Sequence, residues 1–423
     1  MACFPNLLLL CFVICSFVKD VVGQNNAQVQ ANDNAEQFAL LCRIYNVAKN
    51  PPINHVDFQD PNKIMNEIDI LNASFAEEKW MNETENVENS SVAQVKPTTT
   101  REAAVPQAML SRITQKAHNI LDEIRKNNVS EEIEKVKAEL SHVIFGAGGA
   151  ESDLCNGSLK DVTGRGAACG NSGLHAKGQS AGNNLVVDFF CLCAQRNDDG
   201  IHDACKVKVG SKSEKHSWGD KAPSGSSSMW ASIKKECENL LHQHPKSAKE
   251  GHEVIDDFWN HLKSGGLYRW GNTRKVDGSE RKPGMLGTGA GTEGSGGKDV
   301  VCDGRRGYTA TRGSGTPPGG ICVYYGQEPQ WEENIEWLKK LKTAMNTVDV
   351  LNNKTATIKR DIEKLHMLLH RAEKVYESAK LITEIQQPVL PTNLQTTAKR
   401  LTAYSASRRH HPNTHFFSLF VLL

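Results

Sequence analysis

The sequence predicts a mainly α-helical protein: a long antiparallel helical hairpin or coiled coil, with a disulfide-stapled, glycine-rich loop lobe inserted at one end. Three observations predict it. Apolar residues step by three and four along two long segments, 106–145 and 331–386. Between them, residues 146–328 hold 33 of the 34 glycines and lose that periodicity. The same interval carries eight cysteines, from Cys155 to Cys322.

The chain opens with a twelve-residue apolar run at 7–18, followed by Val21-Val22-Gly23, small residues where a signal peptidase reads. Residues 1–23 are therefore expected to be a signal peptide cut before Gln24, although the leading MACFPN lacks Lys and Arg. Residues 24–145 form an N-terminal helical region containing the first long helix. One amphipathic piece runs over 35–48; Leu110, Ile113, Ala117, Ile120 and Ile124 mark the next, and Ile133, Val136, Leu140 and Val143 resume after Asn127-Asn128. Residues 82–105 are polar and contain Thr and Pro, which reads as a loop.

Residues 146–328 are expected to form the lobe. Cys3, Cys11 and Cys15 leave with the signal, so nine cysteines remain. Cys155, Cys169, Cys191, Cys193, Cys205, Cys237, Cys302 and Cys322 are read as four local bridges, with Cys42 left unpaired. Cys191 and Cys193 are too close to bridge each other without strain, so each is expected to take a different partner. The segment 284–297, GMLGTGAGTEGSGG, reads as a flexible, chemically bland loop at the outer tip.

Residues 329–387 are the returning helix. Leu338, Leu341, Met345 and Val348 lead in, the register is expected to shift near Leu351, and Ile358, Ile362, Leu365, Leu369, Ala372, Tyr376 and Ala379 then form a strict seam. At 1.5 Å per residue the segment 331–386 is a rod of about 85 Å and 106–145 one of about 60 Å. The excess length is expected to face a second protomer, giving a homodimer. Pro388 and Pro391 end the rod and open a membrane-proximal stem over 388–405.

The C-terminus has the order of a glycosylphosphatidylinositol (GPI) attachment signal: small Ser405-Ala406-Ser407, a polar spacer at 408–415 and an apolar end at 416–423. Ser405 is the expected attachment residue and Ser407 the alternative, with 406–423 removed. The protein is then held by lipid on the extracellular face of the plasma membrane. Six sequons, at Asn72, Asn82, Asn89, Asn128, Asn156 and Asn353, are candidate N-glycosylation sites in that route.

Several function classes are excluded on chemistry. Fifty basic against forty-nine acidic residues argue against nucleic acid as a partner. No CxxC pair occurs, alone or combined with HxxxH spacing, so a zinc site is not indicated. Gly289, Gly291 and Gly294 match GxGxxG but sit in the glycine-rich stretch, and His252-Glu253 fails HExxH because Asp256 stands where the second histidine belongs. No catalytic residue, metal ligand or cofactor is expected.

Three stretches resemble the variant surface glycoproteins of African trypanosomes, most closely the congolense type: FALLCRIYNVAKNPP at 38–52, NEIDILNASF at 66–75 and WEENIEWLKKL at 331–341. No cysteine follows Cys322, which departs from relatives with a cysteine-rich C-terminal domain. The resemblance implies a dense, homodimeric, glycosylated, GPI-anchored coat that undergoes antigenic variation and meets host antibodies. It also leaves an alternative, a GPI-anchored helical receptor for a host serum protein of the haemoglobin-complex or transferrin type. Trp218, Trp230, Trp259, Trp270 and Tyr268 are expected to build the lobe's core rather than an exposed ligand patch.

Overall fold

The structure is a computed structural model. It describes residues 27–386 apart from 86–100, 242, 272–275, 292–299, 308–309, 312–313 and 316–317. The expected signal peptide and stem, the candidate attachment residues Ser405 and Ser407 and the apolar end at 416–423 lie outside the described residues.

Helix dominates, with a small sheet. Helix α1 spans Ala35–Lys49, α2 Asp60–Glu85, α3 Arg101–Lys126 and α4 Ser130–Phe145. After the lobe come the short α9, Trp331–Asn334, and α10, Glu336–Gln386, which at 51 residues is about 76 Å long. Helix α10 packs on α2, α3 and α4, and α2 packs on α3. Two rods were expected; the elongated part is instead three-layered, because α2 supplies a further apolar stripe through Ile64, Met65 and Ile68. Cross-helix contacts set the directions. Arg125 donates to Asn62 and His118 meets Asp69, so α3 runs against α2; Asn352 accepts from Asn54 N and His366 meets Asp60, so α10 runs alongside the chain entering α2 in the same direction.

The expected first rod is broken. Asn127 Nδ2 donates to Glu123 O at 2.8 Å and Asn128 Oδ1 accepts from Ser130 N at 3.0 Å, which ends α3 and starts α4 while Val129 plugs the core. The expected register shift near Leu351 does not occur. Trp337, Ala344, Leu351, Ile358, Leu365, Ala372 and Ala379 recur every seven residues, and all are buried. Leu341, Val348 and Thr355 form the companion row, also buried. Thr355 hides the repeat in the sequence because it is polar; its Oγ1 donates to Asn352 O at 2.9 Å, so burial leaves no unmet donor.

The lobe is built around α6, Leu185–Cys193, in which every residue is buried. Around it lie α5 (Arg165–Cys169), α7 (Ser226–Leu240) and α8 (Ala248–Ser264). A four-stranded sheet has the order β2-β1-β3-β6, with β1 Gly266–Gly271, β2 Val276–Lys282, β3 Met285–Gly291 and β6 Gly319–Tyr324. Strands β4 (Ala310–Thr311) and β5 (Ser314–Gly315) pair separately. β1 is antiparallel to β2 yet parallel to β3. The two-residue link from β2 to β3 therefore passes under the start of β1. Gly265 makes room there: at φ +78 a Cβ would lie 2.3 Å from the Lys282 backbone.

The stretch expected to be a bland mobile tip is corrected by this sheet. Its first half is β3, buried at every residue, between β1 and β6. Gly287 shows why glycine is needed, since at φ +95 a Cβ would stand 2.5 Å from Ile321 O and 2.8 Å from Leu192 Cδ2. Glycine here permits close packing rather than mobility.

Among the described residues four disulfides join Cys42–Cys237, Cys169–Cys191, Cys193–Cys205 and Cys302–Cys322. Two cysteine assignments are corrected. Cys42 is not the unpaired one, because α1 lies inside the lobe, on α6, α7 and α8, and faces Cys237 of α7. Cys155 is instead the free, exposed thiol, with Sγ 3.4 Å from Ser226 Oγ. Cys191 and Cys193 do take different partners.

Candidate functional site: the lobe and its seat on the long helices

The lobe meets α10 through one buried carboxylate. Asp188, in the middle of α6, accepts from Gly182 N at 2.9 Å, Tyr325 Oη at 2.9 Å and Trp337 Nε1 at 2.6 Å. Three otherwise separate segments thus converge on one side chain. Burial pushes its carboxyl up to about 6, against the three donors and the nearby Lys177 ammonium, which favour the charged form. Burial likewise pulls Lys177 down, and its Nζ donates to Ala181 O and Asn334 O. Burial pushes the Tyr325 hydroxyl well above its ordinary value.

Helix α8 closes this seat from the other side. The Phe258 ring packs edge-on against Trp337 at 4.9 Å and Tyr325 at 5.9 Å, while Trp259 stacks on Trp331 at 6.3 Å. His252 Nε2 meets Asp349 of α10 at 2.8 Å, and His261 Nε2 meets Glu36 of α1 at 3.0 Å.

Buried arginines hold the lobe's loops. Arg196 joins Asp198, Asp220 and the carbonyl of Asp303. Arg165 has no carboxylate in bonding contact: it donates to Ala194 O and Cys191 O and lies under the Trp218 ring at 5.7 Å. Burial pushes its guanidinium down to about 9, and Asp303 partly offsets this. The incoming segment is fastened similarly, with Asp33 paired to Arg269 at 2.6 Å and Val29 N donating to Arg306 O.

The sequons fall in different settings. Asn128, in the α3–α4 break, Asn156 and Asn353 are exposed, while Asn72 is half-buried. Asn156 Nδ2 donates to Asp153, which holds that carboxyl below its ordinary value. The side chain of Asn82 and all of Asn89 lie outside the described residues.

The aromatic residues expected in the core are there: Trp218, Trp230 and Tyr268 are buried, and Trp259 and Trp270 are partly so. Gly289 and Gly291 are strand residues of β3, so the phosphate-loop geometry of strand, turn and helix does not form over them. His252 is spent on Asp349. Among the described residues no cluster of His, Cys, Asp and Glu could hold a metal ion, and no helix is long and apolar enough to cross a membrane.

Asp188, His261 and the buried arginines were missed at the sequence level. One signal was present for Asp188, a lone carboxylate inside the apolar run LVVDFFCLC. The pairing of His261 with Glu36 had none, because 225 residues separate them.

A family model described as the trypanosomal VSG domain matches residues 21–109 and 89–367, spanning both the long helices and the lobe. The match covers well over half of the sequence. The chain belongs to the trypanosomal variant surface glycoprotein family, a family of structural surface-coat proteins rather than enzymes.

Proposed function

We propose that the chain is a GPI-anchored variant surface glycoprotein of the congolense type, which forms a dense, protective coat on the parasite's plasma membrane. The observation that carries this reading is the family match over 21–367. The proposed processing supports the anchor: cleavage before Gln24, and transfer of the lipid to Ser405, or to Ser407, with loss of the apolar tail. Attached at the foot, the helix α10, about 76 Å long, holds the lobe away from the bilayer.

In this reading the lobe is the face presented to host antibodies, and exchange of one coat protein for another evades them. Buried glycines, disulfides and arginines fasten its interior, so its exposed loops are free to vary. Glycans on the exposed Asn128, Asn156 and Asn353 add cover. The receptor alternative draws no support from Trp218, Trp230 and Tyr268, which are buried in the core.

The test is release and density. Phosphatidylinositol-specific phospholipase C frees the protein from intact cells, the released chain lacks FFSLFVLL, and surface counting gives a coat-like abundance. A mature chain that retains Phe416, or a few copies per cell with tight capture of one serum protein, defeats the proposal.

A further inference from the structure

Helix α8 is tied to two other helices by imidazole–carboxylate contacts, and His261 is the more tightly specified. Its Nε2 stands 3.0 Å from Glu36 Oε1, and its Nδ1 stands 3.1 Å from the carbonyl oxygen of Asp257. A carbonyl accepts only, and so does an ionised carboxylate. Neutral imidazole carries one N–H and would turn a lone pair towards the other oxygen. Only imidazolium donates to both.

The surroundings favour that cation. The hydrogen bond to Glu36 raises the His261 pKa above its ordinary value, burial opposes it, and the Asp257 carbonyl and carboxylate add to it. Reciprocally, the bond to His261 holds the Glu36 carboxyl below its ordinary value. Helix α1 contributes Glu36 and also Arg43, which pairs with Asp257 at 2.7 Å; α10 contributes Asp349, on His252. Strand β2 contributes Arg281, facing Glu36, and β3, MLGTGAG, contributes no charge.

We propose that the His261–Glu36 contact is a pH-gated clasp: the proton on His261 ties α8 to α1, and its loss as pH rises loosens α8 on the lobe's seat. The sign follows from linkage. A histidine whose folded pKa is raised contributes stability that is fully present below its unfolded value, near 6.5, and is lost as pH rises through the folded value. Phe258, one turn from His261, packs on Tyr325 and Trp337, the two residues that bind Asp188. Slackening of α8 is therefore felt where the lobe meets α10.

Hydrogen exchange of the α8 amides in the purified full-length chain at pH 5.5 and 7.8, corrected for intrinsic rates, tests the clasp. Protection is expected to be greater at pH 5.5. His261→Gln and Glu36→Gln each abolish that difference, and the double variant removes no more than either alone. An NMR titration of His261 in the wild type needs no variant and is expected to give a value above 6.5. A value at or below 6.5, an unchanged pH difference in both variants, or its loss only in His252→Gln overturns the proposal.

Discussion

The Trp337 indole N–H donates to Asp188 Oδ2 at 2.6 Å, joining the first turn of the 51-residue helix to the central helix of the lobe. Because the carboxylate is buried, this bond works at low dielectric and lacks water as a substitute. Trp337→Phe keeps an aromatic ring but removes the indole N–H and leaves a cavity beside Asp188, with an expected cost of more than about 2 kcal/mol. Chemical denaturation at pH 7.5 measures it.

Asp188 also sets a pH dependence. Its folded pKa of about 6 lies above the ordinary 3.8, so the folded state binds the proton more tightly than the unfolded chain. Stability is expected to fall from this source as pH rises from about 4 to 6. The lowered carboxylates, Asp198 and Asp220 among them, oppose this at the acid end, since their contribution is lost as pH falls through their folded values. Asp188→Asn flattens the decline in thermal midpoint between pH 4 and 6; a wild-type slope retained in the variant contradicts the assignment.

The cysteine pairing is checked by counting thiols. A maleimide is expected to label the folded chain once, at Cys155, and Cys155→Ser abolishes labelling without loss of stability. Replacing Cys42 and Cys237 together by Ser removes the tie between α1 and α7, with an expected cost of about 2–5 kcal/mol.

Thr355 is both a buried heptad residue and the hydroxyl residue of the Asn353 sequon. Thr355→Val keeps the shape and forgoes only a local bond to Asn352 O, so stability should change by less than about 1 kcal/mol. Intact mass then reads glycan occupancy at Asn353 without a folding artefact: the variant loses one glycan mass if that site is used.

Dimerisation is testable on two neighbouring leucines. Leu365 is buried within the chain, so Leu365→Asp is expected to unfold the bundle, costing more than about 3 kcal/mol. It is not the second-protomer contact that the seam alone suggested. Leu369, like Ile362, is only partly covered, and Leu369→Asp is expected to leave helicity intact while shifting sedimentation from dimer to monomer. A wild type that sediments as a monomer rules out the homodimer.

Much was legible in one dimension because it depends on local repeats. The helical periodicity of α3, α4 and α10 and the gathering of cysteines and glycines in one interval can be read along the chain, whereas the break at Asn127-Asn128 divides what reads as one rod over 106–145. Pairing is another matter, since it depends on which surfaces meet. Cys42 reads as an outlier until α1 is seen inside the lobe beside Cys237. GMLGTGAG reads as a loop until Leu192 and Ile321 are seen to leave no room for side chains along β3. Thr355 appears to break a heptad whose burial is continuous, because a threonine that bonds its own helix can enter a core. Asp188 and His261 gain their properties from partners more than a hundred residues away. The sequence by itself determined the helical periodicity of α1, α3, α4 and α10; the tertiary structure decided which buried groups share a surface, and therefore which of them carry perturbed charge.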